Sequence, residues 1–249
     1  MNLGISCYGS IGFDILTSIL ASDKRPEFVL TKSDNDYSES VKIICDRFNI
    51  KFYIDIDMNS DEFRDILKEH NITLYYMLWY STILKSETIN SVSDGIVNIH
   101  PSMLPHNRGM HPWYWNVIEN CPFGASLHFI DEKIDNGKII AQQEINIDMT
   151  DTGESIYSKL SNVSKKLFKD NHLKIISGDI KPFNQPQGGS FHYGKELDKH
   201  SEIKLESEYK AIDLINIMRA RSFENGNSSF FYKDGQKYEI NIKIKKVDE

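Results

Sequence analysis

Residues 3–31 read LGISCYGSIGFDILTSILASDKRPEFVLT, and this stretch decides the fold. Leu3–Cys7 is a short apolar run of strand length. Ile11–Ala21 follows with apolar residues at 11, 15, 16, 19 and 20, the spacing of one helical face. Phe28–Thr31 is a second short apolar run. Strand, helix and strand joined by short connections make a βαβ unit, whose two strands lie parallel. The alternation continues outward. Glu39–Phe48 carries apolar positions at 41, 44, 45 and 48, a helix, and Lys51–Ile54 is a strand. Ser60-Asp61 opens a helix through Phe63, Ile66 and Leu67, Ile72–Leu78 is a strand, and a short helical piece leads to a strand at Gly95–Ile99. The expectation is an α/β fold, Rossmann-like, with a mainly parallel sheet.

After residue 120 the pattern changes. Gly124–Ile130 and Lys138–Ile147 read as strands joined by Asp131–Gly137, and Thr152–Ile176 as a long helix. Lys181–Gly189 holds two Pro and two Gly without periodicity, which places a boundary there. Beyond it come a helix over Glu208–Arg221 and two strand-like runs, Ser229–Tyr232 and Lys237–Ile244, flanking an Asp234-Gly235 turn, a hairpin signal. The expected division is a catalytic domain over 1–185 and a C-terminal helix and β-hairpin over 186–249. In Lys237–Ile244, Tyr238, Ile240, Ile242 and Ile244 alternate with polar residues, leaving an apolar face that needs a partner.

Composition narrows the function classes. The 249 residues carry 29 Lys+Arg against 36 Asp+Glu, a net charge of −7, which disfavours a nucleic-acid or anionic-membrane binder. Three scattered cysteines form neither a disulfide framework nor a metal-ligand spacing, so no metal is expected and the thiols read as reduced and cytoplasmic. The N-terminus has no basic n-region or cleavage site. The most apolar stretch, Ile72–Leu84, is far short of the ~20 residues of a membrane span.

Gly9-Ser10-Ile11-Gly12 follows the first strand, but its glycines do not fit the dinucleotide order and no Walker lysine follows. It reads as a tight turn with close helix–strand packing. The informative stretch is Asn98-Ile99-His100-Pro101-Ser102-Met103-Leu104-Pro105, then Arg108-Gly109. Asn98 and His100 are two apart at the end of a strand, so both face the same side of the sheet, at the edge where parallel sheets bind ligands. An amide donor beside an imidazole suits oxyanion stabilisation with proton transfer; a histidine at a strand end also serves purely structural roles. His128 and Asp135 follow in LHFIDEKIDNG. A carboxylate in that loop orients a histidine, and Asp131, Glu132 and Asp135 are equally available for it.

NIHPSMLPHNRG, GASLHFIDEKIDNGKIIAQQEI and MTDT together resemble the N10-formyltetrahydrofolate-dependent formyltransferases. This family includes glycinamide ribonucleotide transformylase, methionyl-tRNA formyltransferase and the sugar N-formyltransferases. The resemblance runs from about residue 70 to 160 and more weakly beyond. It implies a catalytic triad of Asn98, His100 and Asp135. It implies that Trp79, Tyr80, Ile83 and Leu84, with Ile130 and Asp131 opposite, hold the pterin of N10-formyltetrahydrofolate as co-substrate. It places Ser102, Met103, Arg108 and Gly109 toward the acceptor.

The resemblance also bears on which amine is formylated. A tRNA acceptor needs an extra basic domain, whereas residues 181–249 carry 12 Lys+Arg and 11 Asp+Glu. The glycinamide ribonucleotide enzymes carry a different N-terminal phosphate loop. Met110-His111-Pro112-Trp113-Tyr114-Trp115 and Gly189–Leu197 are most like the sugar enzymes, which makes His192, Tyr193 and Lys195 candidate contacts for a nucleotide-linked amino sugar. The acceptor implied is dTDP-4-amino-4,6-dideoxyglucose, then its 3-amino isomers, then glycinamide ribonucleotide. A homodimer through the C-terminal hairpin is implied in the same way. Formyl-folate hydrolases share the resemblance but carry an additional N-terminal regulatory domain, for which a first strand at residue 3 leaves no room.

Overall fold

A computed structural model describes residues 1–22, 24–226 and 228–247, so the last two residues of the expected C-terminal element lie outside the description. In chain order the elements are β1 (Leu3–Cys7), α1 (Gly9–Leu20), β2 (Phe28–Thr31), α2 (Ser38–Phe48), β3 (Lys51–Ile54), α3 (Asp61–Glu69), β4 (Leu74–Leu78), α4 (Ser86–Ile89), β5 (Ile96–His100), β6 (Arg108–Gly109), α5 (Pro112–Ile118), β7 (Phe123–Phe129), β8 (Ile139–Ile145), α6 (Gly153–Ser177), β9 (Phe191–His192), α7 (Glu196–Ser201), α8 (Ala211–Ala220), β10 (Ser229–Lys233) and β11 (Gln236–Ile240).

The principal sheet has seven strands in the order β3-β2-β1-β4-β5-β7-β8. The five strands from β3 to β5 run parallel, and β7 runs antiparallel to β5. The fold is therefore Rossmann-like, as the βαβ reading requires. β1 and β4 are buried at every residue, the signature of central strands covered on both faces. The chain winds outward from β1 to β3 and returns to β4 on the other side of β1. That reversal is a topological switch point, where the carboxyl ends of the strands leave a crevice. Gly12 explains how α1 lies so close to the sheet: a Cβ there would sit 2.7 Å from the Leu78 carbonyl oxygen. Among the described residues no helix is long and apolar enough to cross a membrane.

By contacts the chain divides into two units, one of residues 1–100, 126–142 and 164–185, the other of 101–125, 143–163 and 186–249. The first has an aromatic core in which Phe28, Phe63 and Tyr75 are fully or almost fully buried, with Phe63 and Tyr75 edge to face at 5.6 Å. Each such burial contributes roughly 1.5–3 kcal/mol. The second has its own cluster of Trp113, Tyr114, Trp115, Ile156, Leu160, Leu197 and Ala220. Trp113 and Trp115 are thus both core.

The C-terminal segment departs from the sequence reading in three places. The helix over 208–221 begins only at Ala211. The strand expected to reach Ile244 ends at Ile240, because Ile240 pairs with Ser229, the first residue of β10, and the partner strand goes no further. The alternation persists regardless: Ile240, Ile242 and Ile244 are half-buried while Asn241 and Lys243 are exposed. The stretch around 189–197 forms β9, which pairs in parallel with β6, and then α7.

Candidate active site

Asn98 and His100 end β5, and the antiparallel register sets Asn98 opposite His128 and His100 opposite Ser126 on β7. Directly opposed residues share a face of the sheet. The side chains meet accordingly: Asn98 Nδ2 lies 3.4 Å from His128 Nε2. Asp135 completes the cluster from the loop between β7 and β8. Its Oδ2 is 3.5 Å from His100 Nδ1 and its Oδ1 is 3.5 Å from His128 Nε2, so one carboxylate spans two imidazoles. His128 Nδ1 lies 2.8 Å from the Phe129 carbonyl oxygen, so it is the proton-bearing nitrogen and donates there. All three side chains are largely buried, Asp135 being 12% exposed.

The loop is built to present Asp135. Its backbone is in the left-handed region, at φ 50°, which Asp tolerates better than most residues. Gln185 donates to the Asp135 and Gly137 carbonyls at 2.8 and 3.0 Å, clamping the loop from the segment after α6. Gly137 packs so closely that a Cβ would lie 1.9 Å from the Phe129 carbonyl oxygen. The other two acids have separate work. Asp131 accepts from the Lys133 backbone N–H at 2.9 Å and from Asn136 at 3.1 Å, holding the loop's turn. Glu132 accepts from the Ser86 hydroxyl at 2.9 Å. Asp135 is the acid that reaches His100.

Trp79 follows β4 at φ 59°, a rare conformation for a bulky residue and the kind of strain that collects at functional sites. Residues 79–85 leave the sheet here without regular structure. Asn59 spans the loop, donating to the Ile83 carbonyl at 2.9 Å and accepting from the Lys85 N–H at 2.7 Å. Tyr80 and Leu84 are buried in the aromatic core, leaving their backbone as the part available to a ligand, whereas Ile83 is 70% exposed. Ile130 packs against the same core. This mixture of apolar wall and irregular backbone suits a flat, polar-edged heterocycle such as a pterin. Sequence reasoning missed Asn59 and Gln185, whose amides act on backbone 24 and 50 residues away.

In the second unit the expected acceptor contacts diverge. Ser102 is fully buried and donates to the His106 carbonyl at 2.6 Å. Met103 lies beside Gly124, where a Cβ would be 2.6 Å from its sulfur. Arg108 and Gly109 form β6, and Gly109 allows that strand to approach the His192 carbonyl. His192 stacks on Trp115 at 3.9 Å and sets its two ring nitrogens 2.8 Å from Glu119 and 3.3 Å from Glu196. It therefore works as an internal clamp. Tyr193 is 56% exposed, with the Lys195 ammonium 5.7 Å from its ring centre.

All three thiols are held protonated, Cys121 being pushed up to about 11 by burial and the neighbouring Glu119. Burial pushes the Cys7 thiol far above its ordinary value and Cys45 up to about 12, so both stay protonated at neutral pH. What remains is a donor amide, an imidazole and a carboxylate at the carboxyl end of β5, in the same contact unit as the irregular loop 79–85. That constellation suits stabilisation of a developing oxyanion together with proton transfer.

The comparisons agree. The formyl transferase family profile matches residues 25–171, and an N-formyltransferase dimerization C-terminal domain matches residues 196–246. The chain belongs to the formyl transferase family. It is a folate-dependent formyltransferase, with N10-formyltetrahydrofolate as co-substrate. It is 28% identical over 229 residues to a methionyl-tRNA formyltransferase of Thermodesulfovibrio yellowstonii, covering 88% of this chain and 73% of that one. A sugar N-formyltransferase from Shewanella sp. superposes with a TM-score of 0.84 at 22% identity, over 100% of this chain and 99% of the other. An N-formyltransferase from Helicobacter canadensis, solved with folinic acid and dTDP-3-aminofucose, gives 0.75 at 22% identity over 95% and 86%.

Proposed function

We propose that the enzyme transfers the formyl group of N10-formyltetrahydrofolate to the amino group of a nucleotide-linked amino-dideoxy sugar. The carrying observation is the Asp135 carboxylate held 3.5 Å from His100, two residues along the strand from Asn98. The acceptor we favour is dTDP-4-amino-4,6-dideoxyglucose, on the resemblance at 110–115 and 189–197, with the dTDP-3-amino sugars second and glycinamide ribonucleotide third. The near-complete superposition on a sugar enzyme and the dTDP-sugar bound by the Helicobacter relative support the sugar class. The product serves surface polysaccharide synthesis, of the O-antigen or lipopolysaccharide kind, in the cytoplasm. Residues 1–185 form the catalytic domain. Residues 186–249 form the dimerisation element of a homodimer, which the match to a dimerization domain supports.

Bound N10-formyltetrahydrofolate supplies an activated formyl carbon, and Trp79, Tyr80, Ile83, Leu84, Ile130 and Asp131 would hold its pterin. Asn98 donates its side-chain N–H to the formyl oxygen as the sugar amine attacks and charge develops there. One such donor contributes about 2.7–4 kcal/mol to barrier lowering. His100 handles the proton the amine loses, which ends on N10 as the formyl–N10 bond breaks and tetrahydrofolate leaves. Asp135 orients His100 and compensates positive charge on its ring. His128, with its proton on Nδ1, accepts from the Asn98 amide at Nε2 and so helps to orient that donor.

A substrate panel tests the reading. The protein is mixed with N10-formyltetrahydrofolate and, separately, dTDP-4-amino, dTDP-3-amino and UDP-4-amino sugars, glycinamide ribonucleotide and methionyl-tRNA. Mass spectrometry reads the formyl gain. Formylation of one dTDP-amino sugar fixes both class and regiochemistry; formylation of glycinamide ribonucleotide or the tRNA alone overturns the sugar assignment.

A further inference from the structure

Helix α6 ends at Ser177, and the segment after it returns to the loop that carries Asp135. Phe183 forms an isolated antiparallel bridge with Ile139, the fully buried first residue of β8. The Ile139 N–H donates to the Phe183 carbonyl at 2.8 Å, and the Phe183 N–H returns the bond at 2.9 Å. Continuing that register sets residue 185 opposite Gly137. There the Gln185 side chain reaches the loop. Its Nε2 donates to the Gly137 carbonyl at 3.0 Å and to the Asp135 carbonyl at 2.8 Å. Pro186 follows, with no N–H to carry a ladder further.

The bridge to Ile139 already fastens this segment through its backbone, so the Gln185 amide is not needed for that. Its donor is spent on the loop of the carboxylate. Asp135 sits at φ 50°, a left-handed conformation that a residue with a side chain keeps only where its surroundings hold it. One amide shared between the 135 and 137 carbonyls fixes the course of the chain as it leaves Asp135, and with it the direction in which the side chain is presented. Asp131 and Asn136 close the turn from within the loop, whereas Gln185 ties residues 135 and 137 to a segment outside it. The contact so served has little slack. Asp135 Oδ2 is 3.5 Å from His100 Nδ1, longer than an ordinary hydrogen bond. Misplacement of a catalytic group by about 1 Å costs on the order of 10²-fold in rate.

We propose that Gln185 is a positioning residue of the formyl transfer, holding the Asp135 backbone so that the carboxylate stays on His100. This rests on the Asn98, His100 and Asp135 roles given above. What matters is the donor N–H of the amide, not the bulk of the side chain. Gln185→Met keeps the length of the side chain and removes the donor. The bridge between Phe183 and Ile139 is made by backbone alone, so the variant retains it and should melt cooperatively near the parent.

Turnover and a spectroscopic signature test it on the full-length protein. With N10-formyltetrahydrofolate and dTDP-4-amino-4,6-dideoxyglucose, Gln185→Met should lower kcat about 10- to 100-fold and leave both KM values little changed. In an Asp135→Asn background the same substitution should cost nothing further, because no carboxylate is left to place. The second readout needs no acceptor. Ring nitrogen resonances of isotope-labelled histidine are recorded, those of His100 being assigned by their loss in His100→Asn. They should move in Asp135→Asn and move in the same direction in Gln185→Met, while those of His172 on α6 stay in place. A slow Asp135→Asn beside an unaffected or additive Gln185→Met overturns the role of Gln185 alone. Parental turnover in Asp135→Asn overturns the triad, and Gln185 with it. If the sugar is not formylated, the acceptor assignment is what fails, and the His100 resonances decide. A shift shared by Gln185→Met and Asp135→Asn sustains the positioning role, and unmoved resonances in Gln185→Met overturn it.

Discussion

In the proposed mechanism three side chains at the end of β5 and in the loop after β7 divide the labour of formyl transfer, and single substitutions test their roles. Asn98→Ala removes the donor to the formyl oxygen, with an expected loss of 10²–10³ in kcat. His100→Asn keeps a polar group but no titratable base, with a loss of at least about 100-fold. The sharper test compares two acids. Asp135 faces both histidines, whereas Asp131 satisfies backbone and Asn136 within its own loop. Asp135→Asn should therefore lower kcat, while Asp131→Ala should act mainly on KM for the folate and on melting temperature. Steady-state kinetics of the pair distinguish them, and a kcat loss confined to Asp131→Ala would reassign the carboxylate. Asn98 and His100 were legible in the sequence because strand periodicity alone sets them on one side. The acid was not, because three carboxylates occupy that loop and only local hydrogen bonding separates them. His192 has an internal partner that the sequence does not show. Its position near a glycine-rich segment reads as a ligand contact, and the structure sets its Nε2 2.8 Å from Glu119, 73 residues away, a pairing that no local spacing signals.

At the level of elements, the site depends on how tightly its loops are tied down. Gly137→Ala places a Cβ against the Phe129 carbonyl and forces backbone movement beside Asp135. The expected cost is about 1–3 kcal/mol of stability together with a fall in kcat. Gly178→Ala is the control: φ is 74° but no atom lies within 4 Å, so it should cost ~1–2 kcal/mol and leave kcat unchanged. Melting curves and turnover measured on both variants check the contrast. Helix α6 carries a pH-dependent element. His172 is 5% exposed, stacked on Phe168, and burial holds its pKa below the ordinary value; burial shifts His111 and His200 the same way. The unfolded chain takes up protons near pH 6.5 that the folded chain refuses, so the unfolded state binds more protons in the window below it. Stability contributed by these histidines is full above about pH 6.5 and declines as pH falls toward their folded values. Melting temperature should drop between pH 7 and 5.5, and His172→Gln should flatten part of that slope; an unchanged slope would remove His172 from the account. Long elements such as α6 were legible from their periodicity. The two-residue strands β6 and β9 and the six-residue α7 were not, because segments that short have no period to read.

For the whole molecule, the proposed assembly turns on the C-terminal hairpin. β10 and β11 form their own two-stranded sheet, and an isolated hairpin is marginal without something packed against it. Tyr238 is 43% exposed and stacked on Phe231 at 5.2 Å, on the face that Ile240 shares, whereas Tyr232 lies on the other face of the hairpin. Apolar area of this kind, on a segment matching a dimerization domain, is what a two-fold interface would bury, each copy offering the same patch to the other. The alternating apolar residues that continue to Ile244 extend the patch beyond the last paired residue. Sedimentation or light scattering should therefore give a particle of twice the 28.8 kDa chain mass. Tyr238→Lys combined with Ile242→Lys should shift it to the single-chain mass, because two cations on the same apolar face would have to lose their water at the interface. The triad lies wholly within the first contact unit, so the same double variant should keep most of its kcat. A dimer that survives the double substitution would move the interface off the hairpin, and a collapse of kcat alongside dissociation would show that the site needs its second copy.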